Sequence, residues 1–498
     1  MTPSARRICC CRWCRRPWGE SVGVSEVAVS PLPPERFEPL LTDDGRARLR
    51  SQGDRARRLL ADRTIWNVNS TARGGGVAEM LRSLLAYARG AGIDARWQVI
   101  SGNDEFFAIT KRIHNNLHGA AGDGGPLGES ERRVYDATLG RDGGELAALM
   151  RPADIAILHD PQTAGLVPLL RRRGHHVIWR CHVGVDLPNQ LARRAWDFLR
   201  PYVVEADLCV FSREAFEWDG LDRARMVVIP PTIDAFSAKN QELDGTRVDG
   251  ILRAAGVIDG AAPRPVPFTR QDGSRGTVEH RADMLEESPI GSGITLVTQV
   301  SRWDGLKDPV GVLRGFAENV SPSCDAHLML AGPATAAVSD DPEGAATFRQ
   351  VVAAWRALAD EPRSRVHLAS LPMQDGEENA VIVNAVQRRS QIVVQKSLAE
   401  GFGLTVAEAM WKARPVVASR IGGIQDQIED GVTGILLDDP HDLRSFGAAV
   451  RRLIDDPARA AAIGEAAQRS VRDRFLEARS LITYVDLLAG LVGSGPQA

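Results

Sequence analysis

Short runs of apolar, often β-branched residues alternate along this chain with longer stretches in which apolar positions recur every three or four residues. In the first half the runs fall at 65–69, 96–100, 155–158, 177–181, 208–211 and 226–229. In the second half they fall at 294–300, 327–330, 366–368, 392–395, 416–418 and 435–437. Runs of this kind predict short strands. Helical patterns lie between them, at 77–88 and 104–117 for example. Regular alternation of strand and helix predicts an α/β fold built on parallel, doubly wound sheets.

The 498 residues exceed what one compact core holds, so two Rossmann-like domains facing each other across a cleft are expected. The boundaries are drawn at 37–232 for the first domain and 294–474 for the second, with a linker and inserted loop at 233–293. The prolines Pro230 and Pro231 end the last strand of the first half and stiffen the exit toward Asn240. From 259 to 292 the composition turns to Pro, Gly, Arg and Asp, which predicts an inserted loop of low functional specificity. A second polar loop is expected at 334–344. The final segment, 475–498, carries a helix at about 479–491 that is expected to pack back on the first domain. No internal repeat of solenoid length is present.

Composition narrows the class. Hydrophobic residues make up 44% and charged residues 25%, with a formal net charge of −3, so neither a nucleic-acid nor a membrane-surface partner is indicated. No apolar run is long enough to span a bilayer, and a cytoplasmic location is expected. Four of the seven cysteines, Cys9, Cys10, Cys11 and Cys14, crowd the first residues. No second half of a zinc site follows them and no apolar signal-peptide core accompanies them. Residues 1–36 are therefore expected to be a disordered tail, with a native start near Val22 or Val24. Cys181, Cys209 and Cys324 lie in or beside apolar runs and read as reduced core thiols.

The chemistry-bearing residues cluster just after strands. Gly74, Gly75 and Gly76 follow the run 65–69 and open a helix. Glycines there let backbone N–H groups approach an anion, and the helix N-terminus adds partial positive charge, which suits a diphosphate. The plain alternative is a flexible turn. Arg302 and Lys307 follow the run 294–300, where two cations would neutralise charge on a departing diphosphate; a pair of solvated surface cations is the alternative. The strongest element is Glu400-Gly401-Phe402-Gly403-Leu404 followed by Glu408. Carboxylates accept paired hydrogen bonds from vicinal hydroxyls, so the two glutamates suit a sugar ring and a ribose. The backbone N–H groups of Gly403 and Leu404 would meet phosphate oxygens. His182, and Asp160 with Gln162, end two strands at the same sheet edge as the glycine triplet.

Arg302 with Lys307 and the Glu-x7-Glu element Glu400–Glu408 resemble retaining glycosyltransferases of the GT-B fold (glycosyltransferase family 4, group 1). In the first half, Asn67-Val68-Asn69-Ser70-Thr71 with the glycine triplet is similar to trehalose glycosyltransferring synthases and retaining trehalose phosphorylases. So are Gly102-Asn103-Asp104-Glu105-Phe106-Phe107, His159-Asp160-Pro161-Gln162, Trp179-Arg180-Cys181-His182 and Ile229-Pro230-Pro231-Thr232-Ile233-Asp234. The insert at 259–292, the Cys-rich tail and details of 335–340 depart from that pattern. The resemblance implies glucose transfer from a nucleotide-glucose donor, UDP- or ADP-glucose, to free glucose, giving α,α-trehalose with retention. Arg302 and Lys307 would bind the diphosphate with the Gly74–Gly76 loop. Glu400, Gly401, Phe402, Gly403 and Leu404 would complete the donor site, and Glu408 would hold the ribose. His182 would contact the donor sugar near its reacting face. Asn69, Asp104, Glu105, Asp160 and Gln162 would receive the acceptor. Retaining glycosidases instead place two carboxylates about 5 Å apart and use one as nucleophile, and no second carboxylate here is placed for that. No cofactor or protein-held metal is required by this chemistry, although Mg2+ can accompany the nucleotide. A homodimer is a possible assembly. The competing expectations are a trehalose phosphorylase and a non-catalytic sugar-nucleotide binding protein.

Overall fold

The computed structural model describes residues 23–72, 75–262, 265–335 and 342–493. Two seven-stranded sheets carry the chain. The first contains β1 (Ser25–Glu26), β2 (Ile65–Asn69), β3 (Ala95–Val99), β4 (Ile155–His159), β5 (His176–Cys181), β6 (Leu208–Phe211) and β7 (Met226–Val228). Its spatial order is β1-β3-β2-β4-β5-β6-β7, parallel except for β1. A two-stranded hairpin, β8 (Pro267–Thr269) with β9 (Arg275–Thr277), separates it from the second sheet. That sheet contains β10 (Asp283–Leu285), β11 (Leu296–Val300), β12 (His327–Pro333), β13 (Val366–Leu371), β14 (Ile392–Gln395), β15 (Val416–Ser419) and β16 (Ile435–Leu437). Its order is β10-β13-β12-β11-β14-β15-β16, and only β10 runs antiparallel.

The central strands are buried on both faces: every residue of β2, β4, β11 and β14 is buried. Helices therefore cover each sheet on two sides. The sheet order reverses direction between β2 and β4 in the first domain and between β11 and β14 in the second. Crevices outside the carboxyl ends of strands at such reversals are where open α/β sheets bind ligands.

The last helix, Glu477–Gly493, leaves the second domain and packs on helices Asp43–Leu59 and Gly76–Gly90 of the first. Tyr484 and Leu488 join the apolar cluster formed by Ile65, Leu84, Ile155 and Ile178. Arg180, buried within β5, donates to the Tyr484 hydroxyl and to the Ile229 carbonyl at 3.2 Å, locking that helix down. The exit from the first domain is pinned too: Ile233 N–H donates to Phe475 O at 2.9 Å and Glu477 N–H to Ile233 O at 3.0 Å.

Two sequence expectations change. Residues 23–36 are not a free tail: β1 pairs with β3, Leu32 N–H donates to Ala86 O, and Phe37 is wholly buried against Tyr87. The cysteine cluster and the rest of residues 1–22 lie outside the described residues. The segment 259–292 is more than a loop, because β10 extends the second sheet and the β8–β9 turn spans both domains. Arg270 pairs with Asp375 and Glu377, while Gln271 Nε2 donates to Asp234 at 3.1 Å and Gln271 O accepts from Arg36. Strands of three residues with mostly exposed or half-exposed side chains leave no hydrophobic period to read.

Candidate active site

On the first-domain wall, β4 and β5 end in a polar chain. His159 Nε2 lies 3.1 Å from Asn67 Oδ1, and His159 Nδ1 lies 3.2 Å from His182 Nε2. The two rings stack with centroids 5.5 Å apart. Burial pushes His159 down to about 3, helped by Arg180, and His182 is lowered well below the ordinary range for the same reasons and by His159. Both rings are therefore neutral near pH 7. With Asn67 Oδ1 as acceptor, the proton on His159 sits at Nε2, so His182 donates from Nε2 and keeps an unprotonated Nδ1. Asp160 accepts the His182 backbone N–H at 2.7 Å. It adopts a left-handed backbone, φ 64°, and burial raises its carboxyl to about 7.

On the second-domain wall, the loop after β11 carries Arg302 and Lys307, and the loop after β14 carries Glu400. Lys307 Nζ donates to Glu400 Oε2 at 2.7 Å, and both side chains are largely buried. Gln299 holds the lysine loop by donating to Lys307 O at 2.7 Å, and Leu398 N–H joins the two loops by donating to Leu306 O at 2.7 Å. Below them, buried Lys396 pairs with Asp308, which caps the following helix Pro309–Asn319. Arg302 is half-exposed and meets Asp304 at 3.2 Å.

The walls touch. A Cβ placed on Gly401 would stand 3.1 Å from His182 O, and one on Gly76 would stand 2.9 Å from Leu404 Cδ1. Gly401 and Gly76 are thus points of close approach, which is what a residue without a side chain permits. Gly403 begins the helix Leu404–Trp411 with φ 84°, and Gly75 begins the helix Gly76–Gly90 with φ 79°. Two polar bridges hold the closed arrangement. Asp186 accepts from Gly422 N–H at 2.9 Å and from Gln425 at 2.8 Å, while Arg213 pairs with Asp426 and donates to Gly422 O.

Not every expected residue joins this centre. Gly74 lies outside the described residues. Asn69 spends its amide on structure, accepting from Trp97 Nε1 at 2.8 Å and donating to Thr71 O at 2.7 Å. Asp104 and Glu105 are exposed in the first turn of the helix Asp104–Leu117, whose C-terminal end is the part near Lys307. A 14-residue helix is roughly 20 Å long, so those two acidic groups stand a helix length away. Gln162 is half-buried just beyond Asp160. Phe402 is buried against Phe475 and shapes the loop from behind. Glu408 is buried in the helix Leu404–Trp411 and pairs with Lys239 rather than standing open.

Two residues were missed. His118 caps the helix Asp104–Leu117 next to Gly401, and its Nδ1 is buried without a hydrogen-bond partner. Burial pushes it down to about 4, and the nearby Lys307 lowers it further while Glu400 opposes. His114, one turn earlier, is also lowered by burial and by His118. Histidines four apart on one helical face were the available signal. Among the described residues, no group of three or more His, Cys, Asp or Glu side chains would hold a metal, and no helix is long and apolar enough to cross a membrane.

Residues 67–217 match the family model "Trehalose synthase, N-terminal domain", and residues 376–470 match "Glycosyl transferases group 1". A trehalose synthase of Pyrococcus horikoshii is 34% identical over 87% of this chain and 91% of its own length. That of Rubrobacter xylanophilus is 34% identical over 86% and 91%. A trehalose phosphorylase of Pleurotus sajor-caju is 25% identical over 74% of this chain but 50% of its own length. In fold, the chain is similar to a UDP-forming α,α-trehalose-phosphate synthase of Burkholderia vietnamiensis, with TM-score 0.64 at 16% identity, covering 88% and 98%. The two-sheet architecture is that of GT-B enzymes, and with full-length likeness to trehalose synthases the chain belongs to the trehalose synthase family, glycosyltransferase-type enzymes of trehalose metabolism.

Proposed function

We propose that the enzyme transfers glucose from a nucleoside diphosphate glucose, UDP- or ADP-glucose, to free glucose, forming α,α-trehalose with retention. The observation that carries this reading is the Lys307–Glu400 pair, at the sheet reversal of the second domain and beside the backbone contact with His182. A cation fixed by a carboxylate at a strand end is preorganised for charge that develops on a leaving diphosphate. Lys307 and Arg302 take that charge, and Gly75 and Gly76 present backbone N–H groups at a helix start to the same phosphates. Glu400 accepts from hydroxyls of the donor glucose. His182, neutral and with an unprotonated Nδ1, accepts from a sugar hydroxyl at the reacting face.

The acceptor sits toward Asp160, Gln162 and His118. Retention follows front-face substitution: the acceptor oxygen attacks from the side of the leaving group, and a phosphate oxygen of that group takes its proton. Likeness over 91% of a trehalose synthase, against half the length of a trehalose phosphorylase, favours the synthase reading over the phosphorylase one. The test is nucleotide release with UDP-glucose and with ADP-glucose, each with and without glucose, beside a run with trehalose and phosphate. Glucose-dependent UDP or ADP release supports the proposal. Glucose 1-phosphate formation from trehalose and phosphate, without nucleotide turnover, overturns it.

A further inference from the structure

We propose that Lys239 positions the donor's nucleoside: it engages one oxygen of Glu408, leaves the other for the ribose hydroxyls, and ties this carboxylate to the helix that follows the glycine loop. The inference rests on the reading that the chain binds a nucleoside diphosphate sugar. Lys239 lies in the connection between the domains. Its ammonium donates to Glu79 Oε2 at 2.8 Å and meets Glu408 Oε1 at 3.2 Å. Glu408 is 1% exposed, and its Oε2 is buried with no hydrogen-bond partner. A buried carboxylate oxygen without a donor is costly, and a ribose hydroxyl is the kind of group that removes the cost.

The arrangement is built rather than incidental. Asn384 donates to Ala238 O at 3.1 Å and to Gln241 O at 2.9 Å, and Trp411 Nε1 donates to Asn240 O at 3.1 Å. These bonds fix the backbone on both sides of Lys239 to the second domain. Glu79 belongs to the first domain and stands in the first turn of the helix Gly76–Gly90, one turn from the proposed diphosphate contacts. One lysine therefore links the Glu408 carboxylate to the first turn of that helix. Lys412 does not take its place, because its ammonium donates to the Glu408 backbone carbonyl and to Asn240 Oδ1, both at 3.0 Å. Burial opposes charge on Lys239, and Glu408 and Glu79 more than offset it, so the lysine stays protonated.

The test measures binding of UDP, ADP and inorganic diphosphate to the whole enzyme by titration calorimetry, for wild type, Lys239→Met, Lys239→Arg and Glu79→Gln. Inorganic diphosphate has no ribose, so it reports the phosphate contacts alone. Lys239→Met is expected to weaken the preferred nucleotide at least tenfold and to leave inorganic diphosphate and the KM for glucose within twofold. Lys239→Arg is expected to restore most of the affinity. Glu79 is half-exposed, so Glu79→Gln serves where Lys239→Met does not fold, with nucleotide affinity expected to fall at least threefold. Unchanged nucleotide binding in the lysine and glutamate variants, or equal losses for nucleotide and inorganic diphosphate, would overturn the assignment. A wild-type enzyme that binds neither UDP nor ADP would overturn the donor reading itself.

Discussion

Replacing Lys307 with alanine separates catalysis from stability. The lysine donates to Glu400 at 2.7 Å, with 16% and 11% of the two side chains exposed, so the pair is only weakly screened. In the free enzyme the variant leaves Glu400 without its cation; its remaining side-chain contact is Ser397 Oγ at 3.4 Å. Loss of one partner of a charged hydrogen bond in such a place costs roughly 1–3 kcal/mol of folding stability. The catalytic loss is separate, because the cation is set where leaving-group charge appears. One preorganised donor at such a position is worth about 3–4 kcal/mol, which corresponds to roughly 10²–10³-fold in kcat. The assay is steady-state glucose transfer at saturating donor, with near-ultraviolet circular dichroism to show that the fold is kept. A folded variant that loses less than about tenfold in kcat would refute the placement of Lys307 at the leaving group.

Three other substitutions test the geometry. Asp160→Asn keeps an acceptor for the His182 N–H and suits the left-handed backbone at that position. The wild-type carboxyl, raised to about 7 by burial, holds its proton in the folded state while the unfolded chain has released it, so its penalty grows from about pH 4 up to pH 7 and then levels off. The variant should therefore gain stability over wild type by roughly 1 kcal/mol per pH unit through that window in urea unfolding, and a difference independent of pH would contradict the burial of this group. At the domain contact, Gly401→Ala puts a methyl 3.1 Å from the His182 backbone, whereas Gly76→Ala meets the movable end of Leu404. A misplacement of a few tenths of an ångström at reacting groups should cost Gly401→Ala on the order of tenfold in turnover and Gly76→Ala about threefold or less. Equal effects would mean that the closed contact plays no part in turnover.

The parallel strands were legible because burial on both faces writes them as unbroken apolar runs; β6, β14 and β16 begin and end where the pattern places them. The helix start at Gly75 and Gly76 and the Glu400 loop were legible as turns because each departs sharply from the apolar runs before it. The added edge strands were not, since β1 and β10 are held by backbone bonds to β3 and β13 and bury few side chains. Glu408 was expected to hold a ribose. What sequence spacing does not convey is that Lys239, 169 positions earlier, folds onto the same carboxylate. Likewise His118 gains its place only because the helix it ends runs across the first domain to the second-domain loops. Asp104 and Glu105 show the reverse: a family-like motif whose acidic groups the helix carries away from the centre.

The central claim is that glucose is joined to glucose with its anomeric configuration kept. The most direct test is a proton NMR spectrum of the product formed from glucose and an α-linked nucleotide-glucose, recorded before any downstream processing. The account predicts one symmetric disaccharide, α,α-trehalose, with a single anomeric signal of small coupling constant and no reducing end. A β-linked product, or trehalose that forms only when glucose 1-phosphate replaces the nucleotide donor, would contradict it.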